Sequence, residues 1–341
     1  MKKVIVGALV LLLGLALVAG VFAGGKKEAA QPTGPIKIAL LVKNLGNPFF
    51  DAVDTGGKEA AKELGISDPI YQGPSTPTAE GQISIMETLI AQKVNAIAIS
   101  ADDTNALVPI DKKAMDAGIK VISFDSAVAP AGRILHLAAS NDQLIGETEV
   151  QIIGKLINYT GEIAILSASS TATNQNTWIE YMKEELKKPE YKNMKLVTVV
   201  YGNDLSDQSY REAMGLFKTY PNLKGIIAPT TVGIAAAAKA LEDAGLAGKI
   251  QLTGLGLPSQ MKQYILDGTC QEMELWNPID LGYSATYICW GLVTGKFTGK
   301  PGDVMHVGRM GDITVGPDGT AVMGKPFVFD KSNIDKYAAL F

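Results

Sequence analysis

The chain reads as an α/β protein with parallel sheets in two lobes, and three observations predict it. Apolar, β-branched runs alternate with amphipathic stretches along most of its length, the pattern of βα units whose strands lie parallel. Glycine follows helix patterns at Ala117-Gly118, Ala244-Gly245 and Asp267-Gly268, where a left-handed C-cap ends a helix before the next strand. Once an export leader is set aside about 310 residues remain, more than one ordinary core and enough for two lobes of roughly 130 to 160 residues.

The leader stands outside the fold. Met1-Lys2-Lys3 is a positive n-region, residues 4–18 are an apolar core, and Val21-Phe22-Ala23 is a small-residue cleavage pattern, so 1–23 is expected to be a signal peptide. Residues 4–23 are nearly long enough to span a bilayer. The cleavage pattern and the polar run that follows favour removal, leaving 24–35 as a flexible tether. No cysteine sits near the cleavage site, so a freely diffusing extracytoplasmic protein is expected rather than a lipid-anchored one.

The first half then places strands at 36–42, 70–71, 96–100, 120–124 and 134–138. Helix patterns at 49–64, 79–93 and 106–117 separate them. The second half repeats the scheme, with strands at 162–167, 196–200, 225–228, 251–254 and 270–276. Its helices fall at 143–157, 176–187, 207–219, 232–244, 259–266 and 281–294, and Tyr220-Pro221-Asn222 ends one of them. Such alternation implies right-handed crossovers. From Gly295 onward turn signals dominate, around short β runs at 312–315 and 326–329, which reads as a peripheral β cap.

Composition narrows the function. The chain is 47% hydrophobic and 19% charged with a net charge of -4, which suits a well-packed globule and argues against a partner held by phosphate neutralisation. Cys270 and Cys289 are the only thiols. An oxidising compartment permits a bridge between them, but two cysteines are no stapled framework, and a pair of buried free thiols is the other reading.

The first strand empties into Lys43-Asn44-Leu45-Gly46-Asn47-Pro48-Phe49-Phe50. In open α/β sheets small molecules bind beyond the carboxyl ends of the strands, so a cation, amides and two rings there suggest a site for something small, polar and partly flat. Phe49 and Phe50 could equally be ordinary core. Asp125 directly follows strand 120–124, where a carboxylate can accept hydroxyl hydrogen bonds; a turn aspartate is its plain alternative. Asn174, Gln175 and Asn176 both donate and accept, as hydroxyl ligands require, though a run of amides at a helix start also caps. Trp276, with the two phenylalanines, offers flat apolar faces, whereas Trp178, Tyr181 and Trp290 fall on packing positions. Asp102 and Asp103 border the same edge, with capping the simpler role for Asp103. Asp204 and Asp207 lack the dense oxygen ligands of a calcium loop, so no metal is expected.

Enzyme signatures are missing. The loop after the first strand is not Gly-x-Gly-x-x-Gly, and no Gly-x-Ser-x-Gly elbow, Walker loop or His-Glu-x-x-His helix occurs. His136 and His306 are isolated. A repressor built on such a ligand domain would carry a basic helix-turn-helix where the leader stands.

Four strings, Lys43 to Phe50, Ile122-Ser123-Phe124-Asp125-Ser126, Thr173-Asn174-Gln175-Asn176-Thr177-Trp178 and Leu275-Trp276-Asn277-Pro278-Ile279-Asp280-Leu281-Gly282-Tyr283, give the chain its resemblance. Over 36–337 it resembles the periplasmic sugar-binding proteins of ABC importers, in the ribose-binding-like class, and most the rhamnose-binding and autoinducer-2-binding branch. The resemblance implies a periplasmic binding protein type I fold, two Rossmann-like lobes joined by a three-strand hinge, with 36–140 and 277–299 in the N-terminal lobe and 141–276 and 300–341 in the C-terminal lobe. The chain would cross near Ser140-Asn141, Asn277-Pro278 and Gly299 to Pro301. Carried over by position, the ligand would be held by Lys43, Asp125, Asn174, Gln175, Pro229 and Thr231, with Phe49, Phe50, Trp276 and Asn277 completing the site. Asn174 and Thr231 stand where the autoinducer-2 branch has aspartate and alanine, and Asn277 where an aspartate usually follows the tryptophan. The residues from Ala172 to Trp178 lie closer to the rhamnose-binding pattern. The implied function is capture of a monosaccharide, a rhamnose-type deoxyhexose first and an autoinducer-2-like compound second, by a monomer without cofactor that delivers it to an inner-membrane permease. A ligand-presenting subunit for sensing is the alternative.

Overall fold

A computed structural model describes residues 34–341 of the protein; the expected signal peptide and the tether up to residue 33 lie outside them. Strand β1 (Ile38–Leu41) is buried on both faces, as its unbroken apolar run requires of a central parallel strand. Its alternate residues feed two cores. Ile38 and Leu40 face one that extends through both halves of the molecule, while Ala39 and Leu41 face a second between the sheet and its outer helices.

Helix α1 (Pro48–Leu64) starts at Asn47, whose side chain accepts from the Phe49 N–H at 3.0 Å, and stops at Gly65 in the left-handed region with φ 66°. Next come β2 (Ile70–Gln72), α2 (Ala79–Ala91), β3 (Ala96–Ile99), α3 (Val108–Asp116), β4 (Lys120–Phe124) and β5 (His136–Ala138). The chain then passes through Ser140 into α4 (Asp142–Leu156), β6 (Thr160–Ser167), α5 (Thr173–Glu185), β7 (Asn193–Tyr201), α6 (Ser206–Thr219) and β8 (Leu223–Ala228). Elements α7 (Thr231–Asp243), β9 (Gln251–Gly254), α8 (Pro258–Asp267) and β10 (Glu272–Leu275) complete that half. Helix α9 (Pro278–Val293) follows, three residues longer at its start than the pattern suggested, because Asn277-Pro278 is its cap and first turn.

Every pairing within the two main sheets is parallel. The first has the order β13-β5-β4-β3-β1-β2 and the second β7-β6-β8-β9. A bridge between Leu255 and Glu274 joins β10 alongside β9. Helix α9 packs against α1 and the first sheet, and glycine permits the approach. A Cβ on Gly56 would stand 1.8 Å from the Ile279 carbonyl oxygen, and one on Gly282 would stand 1.8 Å from that of Val53.

The tail differs from the expected cap. β11 (Val304–His306) and β12 (Asp312–Thr314) do form a separate antiparallel pair. By contrast β13 (Thr320–Val322) adds to β5 in the first sheet, and β14 (Phe327–Asp330) pairs antiparallel with β10 before α10 (Ile334–Tyr337). The assignment of all of 300–341 to the C-terminal lobe is therefore corrected. The last crossing falls between Val322 and Phe327 rather than near Gly299 to Pro301, because the open edges of the outermost strands in both halves are closed from this one segment. Cys270 and Cys289 are buried and free. Burial pushes the Cys270 thiol up to about 12 and that of Cys289 in the same direction. No helix among the described residues is long and apolar enough to cross a membrane.

Candidate functional site

A cavity lies where the carboxyl ends of both sheets meet, the place at which open α/β sheets take small molecules. Lys43 enters from the end of β1 and is almost wholly buried. Its Nζ stands 3.5 Å from Asp125 Oδ2 and donates to Asn174 Oδ1 at 3.1 Å. Asp125, one residue beyond β4, has φ 57°, a left-handed conformation that costs a non-glycine residue energy and so marks an imposed orientation. Its Oδ2 also accepts from Ser100 Oγ at 2.6 Å, and its Oδ1 from Asn174 Nδ2 at 3.2 Å. One amide thus bonds a cation and an anion of the opposite half at once, which only a group that both donates and accepts can do.

Gln175, next along α5, is fixed by Ser167 Oγ and the Ala168 N–H, both donating to its Oε1 at 2.8 and 2.7 Å. Its amide nitrogen remains for the cavity. Thr231, at the start of α7, donates to Asn47 Oδ1 at 3.3 Å, across from β8 to β1. Pro229 lines the same wall.

The rings form a second wall. Phe49 meets Phe50 edge-on at 5.2 Å and Trp276 at 6.2 Å, and Trp276 meets Trp178 at 5.8 Å. Trp178 Nε1 donates to Asp142 at 2.6 Å, whereas Trp276 Nε1 is buried without a partner. An unpaired buried donor costs stability that a ligand oxygen would restore.

Nine of the ten residues singled out in the sequence line this cavity. Asn277 does not: its Oδ1 caps α9 by accepting from the Ile279 N–H at 2.9 Å, and its Nδ2 donates to Asp280 at 2.7 Å. The phenylalanines are both core and cavity wall, so their two readings coincide. Asp103 closes the turn before α3, accepting from the Asn105 and Ala106 N–H groups, while the N-cap position of that helix is Leu107.

The structure adds Asn47, Trp178, Asp204 and Thr230 to the lining. Asp204 follows β7 and accepts a short hydrogen bond from Thr230 Oγ1. Burial raises its pKa, the Asp125 charge adds to the rise, and Lys43 and Thr230 oppose it. Asp207 is exposed and turned to other surroundings. Behind the wall, burial pushes Asp102 up to about 8 against the pull of Lys43, and its Oδ2 has no partner. Chemically the cavity can hold a small polyhydroxy molecule, with ionic and amide groups for its hydroxyls and rings for its C–H face.

Comparison with known proteins follows the same lines. A model of the periplasmic binding protein domain matches residues 38–297. The D-ribose/D-allose-binding protein of Pseudomonas aeruginosa is 30% identical over 251 residues, 71% of this chain and 76% of that protein. A crystal structure of an ABC transporter solute-binding protein from Clostridium phytofermentas with bound L-rhamnose has a TM-score of 0.87 at 39% identity, covering 90% of this chain and 99% of that one. LsrB from Clostridium saccharobutylicum in complex with AI-2 has a TM-score of 0.84 at 23% identity, covering 89% and 99%, a likeness of fold.

Proposed function

The chain belongs to the periplasmic binding protein domain family, a family of solute-binding proteins, and from that membership we propose that it captures a rhamnose-type deoxyhexose and delivers it to an ABC importer permease. The protein acts in the periplasm as a monomer, and no bond is made or broken. The observation that carries the reading is the Lys43, Asn174 and Asp125 bridge facing the ring wall of Phe49, Trp178 and Trp276. A deoxyhexose presents hydroxyls to the first and its methyl and C–H face to the second. The relative holding L-rhamnose, at 39% identity, supports the same choice.

Ligand entry is a population shift. Several polar contacts between the halves, Asn174 to Lys43 and Asp125 and Thr231 to Asn47, run through the groups that would hold the sugar, so an empty site exchanges them for water on opening, and a sugar touching both halves favours the closed form. That form presents the face on which the permease docks.

A thermal-shift and calorimetric panel of L-rhamnose, D-ribose, D-allose and an autoinducer-2-type furanosyl compound tests the ligand. L-Rhamnose at about a hundred times its dissociation constant should add about 2.7 kcal/mol of stability. Stabilisation by another member of the panel and not by L-rhamnose would replace the deoxyhexose with that compound. Small-angle scattering at saturation should show a smaller radius of gyration than the empty protein; an unchanged curve would remove hinge closure from the mechanism.

A further inference from the structure

Asp204 has no part in the ligand set implied by family resemblance, yet its setting repeats that of Asp125 feature by feature. Each is the first or a near residue beyond a strand end, β4 for Asp125 and β7 for Asp204, on opposite halves. Each has left-handed backbone, φ 57° and 49°, a region that aspartate adopts more readily than most residues. Each carboxyl accepts from a hydroxyl at another strand end of its own half, Ser100 for Asp125 and Thr230 for Asp204. Both are nine-tenths buried and both line the cavity. Two buried, separately clamped carboxyls lining one volume are a costly arrangement for a packing role.

Their surroundings limit what can enter. Lys43 is the one cation among the described residues lining the cavity, and it already stands 3.5 Å from Asp125. Trp276 Nε1 is a buried donor with no protein partner. Hydroxyl groups satisfy this set, because a hydroxyl donates to a carboxylate and accepts from the indole. A carboxylate-bearing ligand would face the Asp125 carboxyl and add a further acid beside the buried Asp204, with Lys43 already engaged and no free cation to answer it.

We propose that Asp204 is a second ligand-reading carboxyl, the counterpart of Asp125 across the cleft, and that the two confine the site to uncharged polyhydroxy compounds and turn away sugar acids. The inference rests on the sugar-binding reading above. Calorimetry with L-rhamnose and with D-galacturonate as the acid probe tests it, using D-ribose or D-allose in place of L-rhamnose if either proves the better ligand. Wild type should bind the neutral sugar and take D-galacturonate at least about a hundredfold more weakly. Asp204→Asn should weaken the neutral sugar about tenfold or more and narrow the gap to the acid by a similar factor. Unchanged affinities in a folded Asp204→Asn protein, or wild-type binding of D-galacturonate as tight as of the neutral sugar, overturn the proposal and leave sugar binding standing. Wild type binding none of these sugars overturns that earlier reading and this one with it. If Asp204→Asn does not fold, Thr230→Val carries the test by freeing the carboxyl from its clamp: a loss of about threefold or more supports the role, and an unchanged affinity removes it.

Discussion

The first half runs β2-β1-β3-β4-β5 and the second β7-β6-β8-β9 with β10 beyond, so the two share a strand order, yet they bring different chemistry to the cavity. From the first come Lys43, Asp125 and two phenylalanines; from the second come Asn174, Gln175, Thr231, Asp204 and two tryptophans. Charge in the first half is paired within that half, between Lys43 and Asp125. The second half reaches across chiefly with neutral groups, Asn174 to Lys43 and Asp125 and Thr231 to Asn47. An amide or hydroxyl can exchange a protein partner for a ligand hydroxyl without leaving a buried charge uncompensated. A cleft that must open and close is better bridged by such groups than by an ion pair split between its sides.

The interiors differ too. In the first half α1 and α9 touch backbone to backbone at Gly56 and Gly282. In the second, Glu149 of α4 and Glu274 of β10 are fully buried, and none of their four carboxyl oxygens has a hydrogen-bond partner. Burial raises both, and the proximity of Glu149 raises Glu274 further.

Gly282→Ala separates the halves most harshly. The new methyl would meet the Val53 carbonyl, and the first half should lose about 4 kcal/mol or more in denaturant unfolding; a loss under about 1 kcal/mol would mean that the helices can part freely. Next, Asp125→Ala should weaken sugar binding by about 2 to 4 kcal/mol with the fold intact, and calorimetry showing unchanged affinity would take the first half's charge out of the site. Third comes pH. Both glutamates hold their protons in the folded state above the ordinary 4.5, while the unfolded chain gives them up, so the pair's contribution to stability is most favourable below that value and falls as pH rises. Each retained proton makes the slope about 1.4 kcal/mol per pH unit until the folded pair ionises. Glu149→Gln should flatten it, so that the variant gains on wild type as pH rises from about 5 to about 8, and an identical pH profile in wild type and variant would contradict the raised protonation of the pair. Smallest of all, Asn277→Ala should cost about 1 kcal/mol of stability through its lost cap and leave sugar affinity unchanged; a drop in affinity would return Asn277 to the site.

Periodicity made the alternating strands and helices readable, and with them the strand ends on which Lys43, Asp125 and Thr231 sit. Local dipeptides were less discriminating. Asn47-Pro48 and Asn277-Pro278 are the same signal, an N-cap with proline in the first turn, and both cap helices, yet only Asn47 lines the cavity. What separates them is where α1 and α9 begin relative to the cleft, which is a tertiary fact. Asp204 was visible as one of two nearby acids, but its role depends on a backbone turn through Asn203 and Asp204, both at positive φ, and on Thr230 from a distant strand. Asn and Asp together after a strand end are tolerant of that turn, and that was the available signal. The pairing of β13 with β5 left no trace at all, since three residues on an edge carry too little periodicity to name a partner.

That pairing bears on the order in which the molecule can assemble. Strand β5 belongs to the first half, but its outer neighbour β13 lies near the far end of the chain, as does β14, which β10 awaits. A polypeptide emerging from its amino end therefore exposes an unfinished sheet edge until almost the last segment has arrived. Pairings of such high sequence separation are slow to form, and open edges invite intermolecular association. Chain shortened before Thr320 should gather into aggregates while the cavity residues are all still present, and the late arrival of the final strands sets how long the newborn protein must be kept from its neighbours.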